Sequence, residues 1–245
     1  MLWRKIDTDL RMKMSKKQVK ADYYSSEKIV SEYDHKRFLR GGGVYVAEKE
    51  TEMMEYFLGK HCSSDSIVLD CPVGTGRFIP LIGQFTKHII AVDISDAMLE
   101  NASRYQAERF IKSSADNMPL EENSVDFWVS SRFFFHFEDL DGFFQEASRV
   151  IKSKGGFAFD VFNWSPRSLL PEFILGGQTY NHKLDYIQQL CDKYRFSIVE
   201  VRRAFFIPTY IASFIPNSIV SSIENWTDEV LPNYKTKSYF FLIKD

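Results

Sequence analysis

The run Val68-Leu69-Asp70-Cys71-Pro72-Val73-Gly74-Thr75-Gly76-Arg77-Phe78 puts an apolar stretch, an acid and a glycine-rich turn directly ahead of a helical pattern. A buried strand leading into such a turn is how an open α/β sheet holds a ligand over the carboxyl ends of its strands. Glycine admits positive φ and close approach of the backbone, and the start of a following helix offers unpaired N–H groups and a partial positive charge. A dinucleotide would require G-x-G-x-x-G, but Ile79 stands where the third glycine after Gly74 and Gly76 should fall. Asp70 would also repel a pyrophosphate, whereas it favours a ligand carrying an ammonium and a sulfonium. Taken alone, Asp70 has a second reading as the cap of the next helix.

Outward from this turn, short apolar runs alternate with longer helical periods, the signature of βαβ units and a parallel sheet. Strands are predicted at Ser66 to Leu69, Lys87 to Val92, Phe110 to Ser113, Val125 to Ser130 and Gly156 to Phe162, with two more at Phe196 to Val201 and Ser238 to Ile243. Helices are predicted at Ala47 to Lys60, Gly76 to Gln84, Asp96 to Ala107 and Leu140 to Ile151; Gly41, Gly42 and Gly43 ahead of the first read as a hinge. The expected fold is a doubly wound, mostly parallel seven-stranded Rossmann-like α/β sheet with an antiparallel last strand. All of 1–245 is expected to form a single domain: an N-terminal arm and lid over 1–60, a nucleoside-binding core over 61–162, and a substrate-side insertion with the last strands over 163–245.

The second and third acids of interest follow the next two strands. Asp93 ends the second, where a carboxylate can accept two hydrogen bonds from ribose hydroxyls; turn initiation is its alternative. Asp116 follows the third, in position to accept from an adenine amino group, or to serve as an ordinary loop residue. In order and spacing these residues resemble the class I S-adenosylmethionine-dependent methyltransferases, particularly the small-molecule group that includes the ubiquinone and menaquinone C-methyltransferases (methyltransferase type 11). The resemblance runs from about Ser66 to Phe162, with Pro72 in place of the first glycine of the family's acid-x-Gly-x-Gly-x-Gly loop. It implies S-adenosylmethionine as cofactor and S-adenosylhomocysteine (SAH) as product. Asp70, the Pro72 carbonyl, Gly74 and Gly76 would hold the methionine end, Asp93 the ribose, Ile94 and Met98 the adenine face, and Ala115 and Asp116 its edge. It further implies an N-terminal helical lid, from which Tyr23, Tyr24, Arg37, Arg40 or Tyr45 could meet the methionine carboxylate; Arg40, beside the glycines, is the favoured choice.

Methyl transfer from a sulfonium is an in-line displacement in which positioning supplies much of the rate and no metal is needed. His136, in Phe133-Phe134-Phe135-His136-Phe137 beyond the fourth strand, is the candidate base, with a buried structural histidine as its alternative; Asp160 is the candidate to orient it. The aromatic cluster at 133–137 and a later one, Phe205, Phe206, Tyr210 and Phe214, are candidates to wall the acceptor pocket. The late segment is equally readable as a cover or an oligomer contact.

Bulk properties narrow the partners. With 31 Lys plus Arg against 33 Asp plus Glu, no global field draws the chain to polyanions, although residues 1–20 form a basic arm. No Asn/Asp-Pro-Pro-Tyr/Phe motif follows the fourth strand and no cysteine falls there. A small-molecule substrate is therefore expected and nucleic acid is unlikely; an RNA or protein methyltransferase, or an inactive nucleoside-binding module, are the alternatives. The 3 cysteines, Cys62, Cys71 and Cys191, have no metal-like spacing, so neither zinc nor a disulfide framework is expected. A cytoplasmic monomer or homodimer without a membrane span is the default.

Overall fold

Val68–Asp70, Ile89–Asp93 and Val125–Ser130 are buried along almost their whole length, because helices cover both faces of the sheet; such strands read as continuous apolar runs. The computed structural model describes residues 38–165 and 179–245. The basic arm and Tyr23, Tyr24 and Arg37 lie outside the described residues. The chain runs α1 (Gly43–His61), β1 (Val68–Asp70), α2 (Ile79–Ile82), β2 (Ile89–Asp93), α3 (Asp96–Ala102), β3 (Arg109–Lys112) and β4 (Val125–Ser130). A 3₁₀ turn (Phe134–His136), α4 (Asp141–Val150), β5 (Ile151–Phe162), α5 (Leu184–Tyr194), β6 (Phe196–Ala204), α6 (Thr209–Ala212), α7 (Asn217–Val230) and β7 (Lys237–Lys244) follow.

The sheet has 7 strands in the order β3-β2-β1-β4-β5-β7-β6. β7 is antiparallel to both β5 and β6, while β1 to β5 pair in parallel. The order reverses between β1 and β4, which leaves the crevice that such sheets use for ligands. One core, with Trp128, Phe144, Phe157, Ile187 and Leu190, lies under α4 and α5; the other, with Met54, Phe57, Ile82, Phe127 and Phe241, lies under α1 and α2.

α1 forms because Val46, Met53, Met54, Phe57 and Leu58 recur on one buried face. The same face carries Glu50, which is wholly buried. The glycines before α1 are not a free hinge. A Cβ on Gly42 would stand 2.3 Å from Val220 Cγ2, and the Gly42 N–H lies 2.7 Å from the Ile215 carbonyl, so the run is a close-packed junction with α6 and α7. The helix expected at Gly76 to Gln84 is also shorter. Gly76 has φ +80°, which is incompatible with helix, and the helix occupies only Ile79–Ile82. α3 begins where expected, with Ser95 as its cap accepting from the Met98 N–H at 3.3 Å, but ends at Ala102.

Candidate active site

β1 delivers the chain into a loop pinned on both sides. The Cys71 N–H donates to the Val129 carbonyl of β4 at 3.1 Å, and the Val73 N–H to the Val92 carbonyl of β2 at 2.8 Å. Trp128 Nε1 holds the Cys71 carbonyl at 2.8 Å. Pro72, which follows a cis bond, lacks an N–H and leaves no donor unsatisfied at this crowded point. Gly74 takes φ +54° and has nothing within 4 Å of where a Cβ would be, so the loop presents bare backbone to open space. Gly76 has the opposite surroundings: its Cβ would meet Ala102 Cα at 2.9 Å, so this glycine serves packing against α3.

Asp93 joins the loop to the end of β2. One carboxylate oxygen accepts from the Gly74 N–H at 2.9 Å and the other from the Ser95 N–H at 3.0 Å. The turn role and the ligand-facing position are therefore held by one side chain, since each oxygen keeps a further lone pair and Asp93 lines the cleft. Burial raises its pKa, and the N–H groups of Ser95, Gly74 and Ile94 oppose that rise.

The cleft encloses about 1130 Å³, counting its open mouth. Pro72, Gly74, Asp93, Ile94, Met98, Ala115 and His136 are brought together on its wall. Ser113 and Ser114 complete the β3 side, and Phe133, Phe137 and Phe143 the aromatic side. Asp70 is set back beneath the loop, 2% exposed, and one carboxylate oxygen has no hydrogen-bond partner. Burial pushes this carboxyl well above the usual range, with Arg77 opposing and Asp93 adding to the shift. It does not cap α2, whose N-cap is Phe78 with no side-chain hydrogen bond. Asp116 is half-buried and outside the lining of the cleft, and it accepts a hydrogen bond from Ser114 Oγ.

Three expectations require correction. Arg40 is exposed and does not line the cleft; its backbone is engaged in the turn entering α1. Asp160 does not orient His136: one oxygen accepts from the Arg132 N–H at 2.7 Å and the other lies 2.8 Å from Lys237 Nζ. The late aromatic segment does not wall the cleft. Phe205 is buried against Tyr45, Phe214 is 82% exposed, and α6 packs on α1.

Sequence reasoning missed a cluster of charges at the α1 end of the cleft. Glu50 lies 2.7 Å from Arg77 Nη2, 3.0 Å from Arg132 Nη1 and 2.8 Å from Lys237 Nζ. Burial would raise the Glu50 carboxyl, but Lys237, Arg132 and Arg77 outweigh it and hold the group well below the usual range. Phe38 covers both arginines, its ring centre 4.1 Å from the Arg77 guanidinium carbon and 5.3 Å from that of Arg132. The available signal was a glutamate on the apolar stripe of α1, because a charge there must be paired.

His182, also missed, supports the turn that carries His136. Its Nε2 lies 2.9 Å from the Phe137 carbonyl and 3.3 Å from that of Phe134, and the Tyr180 N–H donates to the Phe135 carbonyl at 2.8 Å. Burial lowers its pKa, and two carbonyls at Nε2 fix the tautomer that donates there.

A parallel sheet with a glycine loop and an acid at the next strand end defines a nucleoside-binding α/β domain. Residues 69–159 match the methyltransferase domain family. Over this stretch the chain is similar to class I S-adenosylmethionine-dependent methyltransferases. It is 28% identical over 120 residues to the uncharacterized methyltransferase YcgJ of Bacillus subtilis (46% of this chain, 47% of that protein). It is 27% identical over 151 residues to the malonyl-[acyl-carrier protein] O-methyltransferase of Pectobacterium atrosepticum (59% and 60%). The chain thus spans about half the length of the curated relatives it matches. In fold it is similar to magnesium protoporphyrin IX methyltransferase of Synechocystis PCC 6803 with bound SAH, at TM-score 0.67 and 13% identity over 94% of this chain and 100% of that one. Among the described residues, no helix is long and apolar enough to cross a membrane.

Proposed function

We propose that this protein transfers a methyl group from S-adenosylmethionine to a small-molecule acceptor by in-line displacement. The observation that carries the reading is the pairing of a bare Gly74 loop with the Asp93 carboxylate across one open cleft. The donor, when bound, supplies an electrophilic methyl on a sulfonium. The loop holds its amino-acid end, and the buried Asp70 carboxyl lies beneath as the counter-charge for its ammonium. Asp93 accepts from the ribose hydroxyls through its remaining lone pairs, and Ile94, 43% exposed on the wall, and Met98 receive the adenine face. Ser113, Ser114 and Ala115 border the adenine edge.

His136, on the wall beside Phe133, Phe137 and Phe143, takes a proton from the acceptor. Glu50, Arg77 and Arg132 form a charged cluster at the α1 end of the same site. Titration calorimetry tests the reading: S-adenosylmethionine and SAH should bind, and nicotinamide dinucleotides should not. Binding of a nicotinamide dinucleotide with neither sulfonium nucleoside nor SAH would overturn it.

A further inference from the structure

We propose that the acceptor carries an oxyanion, a carboxylate or a phosphate, on an apolar body, and that Arg77, Arg132 and Ser131 receive it. The inference rests on the methyl-transfer reading and adds the chemical class of the second substrate. Arg77 follows the glycine loop and Arg132 follows β4, two loops on opposite sides of the switch point, and both line the cleft. Their guanidinium groups are brought side by side by the two oxygens of Glu50 and covered by Phe38.

Among the described residues of this cluster, Arg77, Arg132 and Lys237 face the carboxylates of Glu50 and Asp160, one positive charge in excess. The net positive charge of a donor bringing an ammonium, a sulfonium and one carboxylate is offset by Asp70, so the excess at the arginines remains. An anionic acceptor relieves this excess, and a neutral or cationic one does not. Donors are also left over at the same place. Arg77 Nη1 and Ser131 Oγ are buried without a hydrogen-bond partner, and both residues line the cleft. A buried donor without an acceptor is costly, and an oxyanion offers only acceptors. Beside these donors, Phe78, Phe133 and Phe137 give the wall its apolar character, which suits a hydrocarbon or aryl body. Ser131 and Arg132 lie on the same short segment as His136, and all three line the cleft.

The test uses the full chain saturated with SAH, titrated with paired probes: phenylacetate against phenylacetamide, hexanoate against hexanamide, and inorganic phosphate. Each carboxylate should bind at least about tenfold more tightly than its amide. Arg132→Gln should erase that preference while changing SAH affinity by less than about twofold, and Ser131→Ala should reduce it with an unchanged melting temperature. If Arg132→Gln instead weakens SAH and spares 5′-methylthioadenosine, which lacks the amino-acid end, the arginines hold the donor's own carboxylate and the proposal fails. It fails equally if no carboxylate is preferred to its amide, including the case in which neither binds. Repeating the paired titrations without nucleoside separates this outcome from failure of the methyl-transfer reading, which absence of SAH binding would report.

Discussion

At the β2 end of the cleft the binding groups are main-chain amides and one carboxylate arranged within a single βαβ unit, with Gly74 and Ser95 both donating to Asp93. At the α1 end they are side-chain charges from Glu50, Arg77, Arg132, Asp160 and Lys237, drawn from five separate elements or loops. The first end is held by short-range geometry, with one carboxylate accepting from two nearby N–H groups. The second depends on mutual compensation of buried charges, so removing one member leaves the others unpaired. On the proposed reading, the donor is held largely by backbone and the acceptor by a network that also holds α1 to the sheet.

The largest expected effect lies at the acceptor side. His136→Ala should lower turnover by about 10²-fold to 10⁴-fold with donor affinity nearly intact, provided the assay acceptor requires proton removal. Turnover per folded molecule, normalised by a melting curve, separates a base from a structural histidine; an unchanged value removes the base role.

Glu50→Ala should cost about 3–5 kcal/mol of stability in denaturant unfolding, because Lys237 and both arginines lose a shared buried partner. The depressed pKa of Glu50 gives the sign with pH: its stabilisation is present above the ordinary carboxylate range and is lost as pH falls through the folded value. A loss below 1 kcal/mol would show that the two ends are held alike, contrary to the contrast drawn above.

Asp93→Ala should weaken donor binding by about 1.5–3 kcal/mol, the scale of charge-assisted hydrogen bonds lost from a desolvated site. From sequence alone, folding would be expected to remain nearly unaffected. The structure revises this, since the Gly74 and Ser95 N–H groups lose their acceptor, and a further loss of about 1–2 kcal/mol in unfolding free energy is expected. Normal donor affinity in the variant would move the ribose contact elsewhere.

The smallest effect is protonic. Asp70 holds its proton above the ordinary carboxylate range in the free protein, and a nearby ammonium favours its ionised form. Donor binding should therefore release protons, and affinity should rise with pH between the ordinary carboxylate range and the raised value. Calorimetry in buffers of different ionisation enthalpy measures this, and Asp70→Asn should diminish it. Free-protein stability has the opposite slope: a raised folded pKa means stability declines as pH rises through that window. Proton uptake on binding would remove Asp70 as the counter-charge.

The seven strands, their alternation with helices and the wall formed by Pro72, Gly74, Asp93, Ile94, Met98, Ala115 and His136 were legible in the sequence. Apolar runs, positive-φ glycines and strand-end acids are local features, each set by a few neighbouring residues. What Arg132, Asp160 and Lys237 do was not legible. Their partners lie as far as 187 residues away, as Lys237 does from Glu50, and only the pairing of β7 between β5 and β6 sets Tyr239 opposite Asp160 and brings Lys237 within reach of both acids. The glycines at 41–43 and the aromatic residues at 205–214 failed for the same reason: a flexible hinge and a packed junction share one composition, and the contacts of Gly42 with Val220 and Ile215 decide between them. The amino-acid sequence by itself determined the sheet and the β2 end of the cleft, because those follow from periodicity and turn chemistry. Tertiary structure alone decided which charges meet at the α1 end of the cleft, because desolvation forces buried ions to find partners wherever the folded chain places them.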